Sequence, residues 1–384
     1  MKTIPYGRQH IAKADIEKVV KVLGSDWITQ GHKVSEFENA LAKYCGCKYA
    51  VAVSSGTAAL HLACLAANMK KGDEVVTTPI SFLASANSIL YTNAKPVFAD
   101  IDYETINIDP VEINRKINKK TKAILPVHFA GLPCKMNDIK EIAKTYNLLI
   151  IEDACHALGA EYKYNGKWIK VGSCKHSDMT VFSFHPVKHI TTGEGGAITT
   201  NNKMFYERLK VLRNHGIYKD KKTNRKGYWN YEMRDLGFNY RITDFQCALG
   251  LSQLERLNDF LVKRHNIAKV YIDNLLEIED IEVQKTNNSL KHSYHLFVIK
   301  LNVKRAGRAR RKLYEQLHRL GIRVQVHYIP IHLQPYYRKS FGFKAGDSPV
   351  AEDYHKRCIS LPLYPELKKK EINFVIDSIK SIII

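Results

Sequence analysis

The segment Leu148-Leu-Ile-Ile-Glu-Asp-Ala-Cys-His156 runs from four apolar residues directly into two carboxylates, and Val181-Phe-Ser-Phe-His-Pro-Val-Lys188 passes in the same way from apolar residues into a turn that ends on a lysine. Apolar runs this short, bounded by polar residues, read as strands buried on both faces. Others recur at Tyr49 to Val53, Glu74 to Thr78, Pro96 to Asp100, Ala123 to His128 and Ala197 to Thr200, and the two quoted segments supply Leu148 to Asp153 and Thr180 to Phe184. Helical stretches lie between them. The alternation predicts an α/β fold with a mostly parallel seven-stranded sheet between helices. Ligands of such sheets collect beyond the carboxyl ends of the strands, so a polar residue just after an apolar run is the first candidate for chemistry.

Further along, a long helix is expected from Thr243 to about Leu261. A smaller α+β unit follows, with a strand at Ser293 to Leu301, a helix near Ala306 to Leu320 and a strand at Ile322 to Tyr328. Ile372, Val375, Ile376, Ile379 and Ile383 recur at helical spacing, which predicts a docked amphipathic C-terminal helix. The expected division is a large domain over 1–245 and a small one over 246–384. With 384 residues the chain is long enough for both.

Composition narrows the function less than the strands do. Hydrophobic residues make up 45% of the chain, yet no run approaches the roughly 20 apolar residues of a spanning helix. Met1 to Gln9 lacks a signal-peptide core, so a cytoplasmic protein is expected. The eight cysteines, Cys45, Cys47, Cys64, Cys134, Cys155, Cys174, Cys247 and Cys358, show no paired CxxC spacing, which argues against zinc and disulfides. A net charge of +21 is compatible with nucleic acid, an acidic membrane surface or an anionic substrate. Its densest runs, Lys219 to Lys226 and Lys304 to Lys312, are not interleaved with the aromatic residues that single-strand binding uses.

Three segments carry the chemistry. Lys188 is a surface lysine on the plainest reading, but Ser183 lies five residues before it and Thr192-Gly-Glu-Gly-Gly196 follows, a sequence that permits tight turns beside a ligand. In a partly desolvated pocket its amine would become a nucleophile toward an aldehyde. Asp153, at a strand end, could cap a helix, bind a metal or pair with a cation; beside a Schiff-base lysine it could keep a pyridine nitrogen protonated. Val51-Ala-Val-Ser-Ser-Gly-Thr57 passes from a strand into a helix start, either an ordinary cap or a phosphate site built on free N–H groups at the helix start, with Gly56 permitting close approach.

Seven ordered blocks give the chain a resemblance to the DegT/DnrJ-type sugar-nucleotide aminotransferases, which are fold-type-I PLP-dependent aminotransferases. They are Ile28-Thr-Gln-Gly31, Ser55-Gly-Thr-Ala-Ala-Leu60, Glu152-Asp-Ala-Cys-His-Ala157, Ser183-Phe-His-Pro-Val-Lys188, Gly193-Glu-Gly-Gly196, Gly237-Phe-Asn-Tyr-Arg241 and Val326-His-Tyr-Ile-Pro-Ile331. The resemblance implies pyridoxal 5'-phosphate as cofactor, with Lys188 holding it and moving the proton, and Asp153 on its ring nitrogen. Ser183, Gly56 and Thr57 would hold the phosphate, and Phe82 would stack on the ring. His156 stands where many members have glutamine, near the cofactor hydroxyl. Asn239 would reach the cofactor phosphate of a partner subunit, which implies a homodimer with shared active sites. Tyr6, His185, Glu194 and His327 would face the sugar nucleotide; for His327, core packing is an equal alternative. No metal is implied.

Within the family, Thr78-Pro-Ile-Ser-Phe82, Phe184-His-Pro-Val-Lys-His-Ile-Thr-Thr192 and Arg323-Val-Gln-Val-His-Tyr328 most resemble the branch of pseudaminic acid synthesis. That branch aminates UDP-2-acetamido-2,6-dideoxy-β-L-arabino-hexos-4-ulose, with glutamate as donor and 2-oxoglutarate as by-product. The next branch makes UDP-4-amino-4-deoxy-L-arabinose. Family members that act as 3-dehydratases carry histidine at the position of Lys188, so lysine here favours transamination. A rival of another class keeps the fold as a regulator that binds nucleic acid through its basic surface.

Overall fold

The computed structural model describes residues 3–219, 227–302 and 306–383. Its main sheet is built from β1 (Tyr49–Val53), β2 (Glu74–Thr77), β3 (Lys95–Phe98), β4 (Thr121–Leu125), β5 (Leu149–Asp153), β8 (Met179–Ser183) and β9 (Gly196–Thr200), in the order β1-β9-β8-β5-β4-β2-β3. The strand β9 runs antiparallel to both of its neighbours, and the remaining pairs are parallel. The hairpin β6 (Glu161–Tyr164) and β7 (Lys167–Lys170) lies outside this sheet and pairs with Leu290–Lys291. All seven expected strands are present, shifted by at most a few residues. Their side chains are apolar on both faces because helices cover both, and Val51, Val76, Ile124, Ile151, Val181 and Ile198 are fully buried.

Register places the chemistry. Val53 and Ser183 both pair with Gly196, and Asp153 pairs with Val181, so the ends of β1, β8 and β5 and the start of β9 share one edge. Successive residues of a strand face opposite sides, so Glu152 and Asp153 part company. Glu152 accepts from Thr180 Oγ1 at 2.9 Å and from Ser177, and it pairs with His128 Nε2 at 2.7 Å. Burial by itself would neutralise this histidine; Cys134 and Glu152 more than reverse that and raise its pKa to about 10. Glu152→Ala leaves His128, Ser177 and Thr180 without their shared buried partner. It should cost about 3–5 kcal/mol in urea unfolding, and a loss below about 1 kcal/mol would show that the pair is dispensable.

Several expectations beyond residue 243 need correction. The long helix breaks at Arg256 (φ −104°, ψ 3°) into Asp244–Glu255 and Leu257–Leu275, because Arg256 leaves helical geometry to pair with the buried Asp15 of the helix Lys13–Leu23. The strand expected at Ser293 starts only at Phe297: Ser293 and Leu296 instead donate their N–H groups to Gly131 and Ala130. Ile322 to Tyr328 forms no strand. It makes two isolated bridges, Ile322 to Ile4 and Gln325 to Ser360, because its two neighbours each hold it at a single point and no continuous ladder can form. The strand Cys358–Leu361, which the sequence reading missed, completes a three-stranded sheet with Ile281–Val283 and Phe297–Leu301.

The helix Ala306–Arg319 matches its expected position, and the C-terminal helix Lys369–Ile383 buries Ile372, Val375, Ile376 and Ile379 as its spacing predicts. Of the two basic runs, residues 220–226 and 303–305 lie outside the described residues. Among the described residues no helix is long and apolar enough to cross a membrane.

Candidate active site

A cavity of ≈460 Å³ opens at the shared strand edge, and every residue singled out in the sequence except Asn239 lines it. Lys188 enters from the turn after β8, where its N–H bonds to the His185 carbonyl at 2.9 Å. Burial pushes its amine below the usual lysine range, against the opposing pull of Cys155 and Asp153. Among the described residues its Nζ has neither a hydrogen bond nor an ion pair. A desolvated, unpaired amine of this kind is nucleophilic at neutral pH.

Asp153 is buried at the end of β5. Its Oδ2 accepts from Ser85 Oγ at 2.6 Å and its Oδ1 from the Cys155 N–H at 3.1 Å. Ser81 Oγ lies 2.6 Å from Ser85 Oγ, so a short hydroxyl chain fixes the carboxylate from behind. Ser85 carried no sequence signal, and its place beside Asp153 is set only once the helix Ala84–Leu90 packs at the strand end.

The third corner is the start of the helix Gly56–Ala66. Ser55 caps it, accepting from the Ala58 N–H at 3.1 Å, and the N–H groups of Gly56 and Thr57 are left over by the helical ladder. A Cβ on Gly56 would stand 2.8 Å from Ser183 Cβ, and one on Gly196 would stand 2.5 Å from the Ser55 carbonyl oxygen. Both glycines are therefore required for β8, β9 and this helix start to converge. The result is a cradle of N–H and hydroxyl donors, suited to a dianion.

The walls come from distant parts of the chain. Phe82 is 59% exposed within the cavity, so its ring is a cavity wall and not a core residue. Tyr6 and His327 also line it, ring centroids 5.6 Å apart, with His327 Nδ1 2.8 Å from Ser360 Oγ. Burial, then the charge of Lys188, lowers the His327 pKa to about 4. His327 is thus both a packed residue and a cavity wall. The buried His156 meets the Tyr328 hydroxyl at 3.2 Å, a neighbour the sequence reading did not single out. His185 and Glu194 are exposed at the rim. Asn239 lies exposed outside the cavity, in an isolated bridge with Asn214.

A mostly parallel sheet with a desolvated lysine, a fixed carboxylate and an anion cradle at one edge fits a transferase of the aminotransferase class. The chain belongs to the DegT/DnrJ/EryC1/StrS aminotransferase family, whose model matches residues 9–380. It is 40% identical over 383 residues to the UDP-4-amino-4,6-dideoxy-N-acetyl-beta-L-altrosamine transaminase of Campylobacter jejuni, covering 99% of this chain and 97% of that protein. Among solved structures, PseC of Helicobacter pylori, an aminotransferase involved in the biosynthesis of pseudoaminic acid, superposes with a TM-score of 0.91 at 33% identity, covering 99% of both chains. A protein of Streptococcus pneumoniae assigned as a sugar aminotransferase, solved in a PLP form, gives 0.91 at 30% identity, covering 99% of this chain and 98% of that one.

Proposed function

We propose that this chain is a PLP-dependent transaminase that moves an amino group from glutamate to the 4-keto carbon of a UDP-linked 6-deoxy sugar. The preferred acceptor is UDP-2-acetamido-2,6-dideoxy-β-L-arabino-hexos-4-ulose, and the product is UDP-4-amino-4,6-dideoxy-N-acetyl-β-L-altrosamine. The observation that carries the reading is the convergence of Lys188, Asp153 and the Gly56–Thr57 N–H groups on one cavity. Pyridoxal 5'-phosphate, when bound, supplies an aldehyde that accepts the amino group and a ring that withdraws electrons.

The residues present fit that group. Gly56, Thr57 and Ser183 would hold the phosphate, Phe82 would lie against one ring face, and His156 would stand near the ring hydroxyl. Asp153 would keep the ring nitrogen protonated. Lys188 Nζ would take the proton from the donor carbon and return it to C4 of the sugar. The balance is one amino group gained by the keto sugar and one carbonyl gained by glutamate, which leaves as 2-oxoglutarate.

Tyr6, His185, Glu194 and His327 would meet the sugar nucleotide. The exposed Asn239 would serve the cofactor of a second copy in a homodimer, and the domain division would fall near residue 245. The preference for the altrosamine precursor over the 4-keto-L-arabinose branch is supported by the resemblance to the Campylobacter and Helicobacter enzymes. Incubation with glutamate and a panel of nucleotide-linked 4-keto sugars tests both levels of the proposal. The expected result is 2-oxoglutarate formed in step with a 4-amino product, with kcat/KM for the preferred acceptor at least about tenfold above the others. Equal or better turnover of another keto sugar removes the substrate assignment, and amination of none removes the activity.

A further inference from the structure

At the edge of the main sheet opposite the cavity lies a second concave surface, a groove of ≈720 Å³. Asn201, just past the end of β9, lines it, whereas the catalytic cavity sits where β9 begins at Gly196. One wall of the groove is the hairpin of β6 and β7, and another is the end of the helix His32–Cys45.

The hairpin reads Tyr162-Lys-Tyr-Asn-Gly-Lys-Trp-Ile-Lys170, the interleaving of aromatic and basic residues that the two densest basic runs lack. Asn165 and Gly166 both take positive φ, 47° and 75°, and close a two-residue turn that sets the register. Lys163 then stands opposite Trp168, and Tyr164 opposite Lys167, so each face of the hairpin tip carries one ring beside one ammonium. Tyr164 is 36% exposed and Trp168 38%. Lys163 Nζ lies 4.9 Å from the centroid of the Trp168 ring, Lys291 Nζ lies 4.1 Å from it, and Lys170 Nζ lies 4.0 Å from that of Tyr44. Such contacts are weak at an exposed site, so a stacking base can displace them and keep the cations beside it.

Lys43, Lys167, Lys170 and Lys175 line the groove, and no carboxylate does. Among the described residues, the ammonium groups of Lys43, Lys167 and Lys175 form neither a hydrogen bond nor an ion pair. Like charges left unpaired on one concave surface repel one another, and a polyanion removes that repulsion. A single phosphate occupies one or two of them, whereas this set, beside the rings of Tyr44, Tyr164 and Trp168, matches successive phosphates and bases. A bilayer presents a flat face, which meets a concave wall poorly.

We propose that this groove is a second binding site, for single-stranded nucleic acid: bases stack on Trp168 and Tyr164 while Lys43, Lys167 and Lys175 take the backbone phosphates. It lies at the far edge of the sheet from Lys188 and does not depend on the transaminase reading.

The test uses the full-length protein and a fluorescein-labelled oligothymidylate of about twelve nucleotides. Anisotropy should report binding at about 50 mM salt, with log Kobs falling against log salt at a slope of about −2, the value for three phosphate contacts on a single strand. Tryptophan fluorescence should be quenched on binding, and Trp168→Leu should remove most of the quenching and weaken binding about tenfold. Lys167→Gln combined with Lys175→Gln should reduce the slope to about −0.7. Saturating UDP should not displace the strand. The proposal is overturned by an absence of binding at about 50 mM salt, by unchanged affinity in Trp168→Leu, or by a mononucleotide that binds as tightly as the oligomer. Displacement by UDP also overturns it, since the strand then sits in the catalytic cavity. Binding to vesicles of anionic lipid, with none to the strand, overturns it in favour of a membrane surface.

Discussion

Lys188→Ala should abolish amino transfer, with a loss of at least about 10⁴-fold, while the protein stays folded. In the proposed function one amine is asked for two tasks, covalent attachment of the cofactor and transfer of the proton between carbons, and no neighbour can take either over. Among the described residues of the cavity the other nitrogen bases are His156, His185 and His327. His156 is committed to Tyr328, His327 is committed to Ser360, and His185 lies exposed at the rim. The fold should survive because alanine removes a desolvated amine that forms no hydrogen bond or ion pair. The measurements are the visible absorbance of the purified protein, borohydride trapping of the cofactor followed by mass spectrometry, and single-turnover formation of 2-oxoglutarate. Turnover within about a hundredfold of wild type would show that the proton moves through another group.

Asp153→Asn should lower kcat by about 10²–10³-fold and leave the cofactor bound. The substitution keeps the shape of the side chain and one acceptor, so the Cys155 N–H can still be satisfied, and Ser85 can turn its hydroxyl to accept from the new amide. What disappears is the carboxylate at the end of β5, and with it, in the proposed function, the reason for the ring nitrogen to hold a proton. The loss should therefore fall on kcat more than on KM, and Asp153→Glu should recover little because Ser85 and Cys155 fix the carboxylate position to within a hydrogen bond. Unchanged kcat in Asp153→Asn would mean that this carboxylate only anchors the serine pair.

The strands, the lysine and the acidic strand end could be read in the sequence because each signal is local. Four apolar residues followed by Glu152 and Asp153 state both the strand and its exit, and Gly56 follows β1 by three residues. Segments with no local period were read less well. Ile322 to Tyr328 has the composition of a strand, but whether a strand forms depends on a partner ladder, and the flanking chain supplies only Ile4 and Ser360. The break at Arg256 was equally hidden, since its cause is Asp15, 241 residues away.

By itself, the sequence determined the sheet, the edge at which chemistry sits, and the residue types converging there, since hydrophobic period and strand exits are properties of neighbouring residues. Only the tertiary structure decided what those residues touch. Ser85 reaches Asp153 across 68 residues, and Tyr328 reaches His156 across 172. Such pairs are set by how helices pack on the sheet ends, where burial makes each unsatisfied polar atom costly and so selects one arrangement of partners.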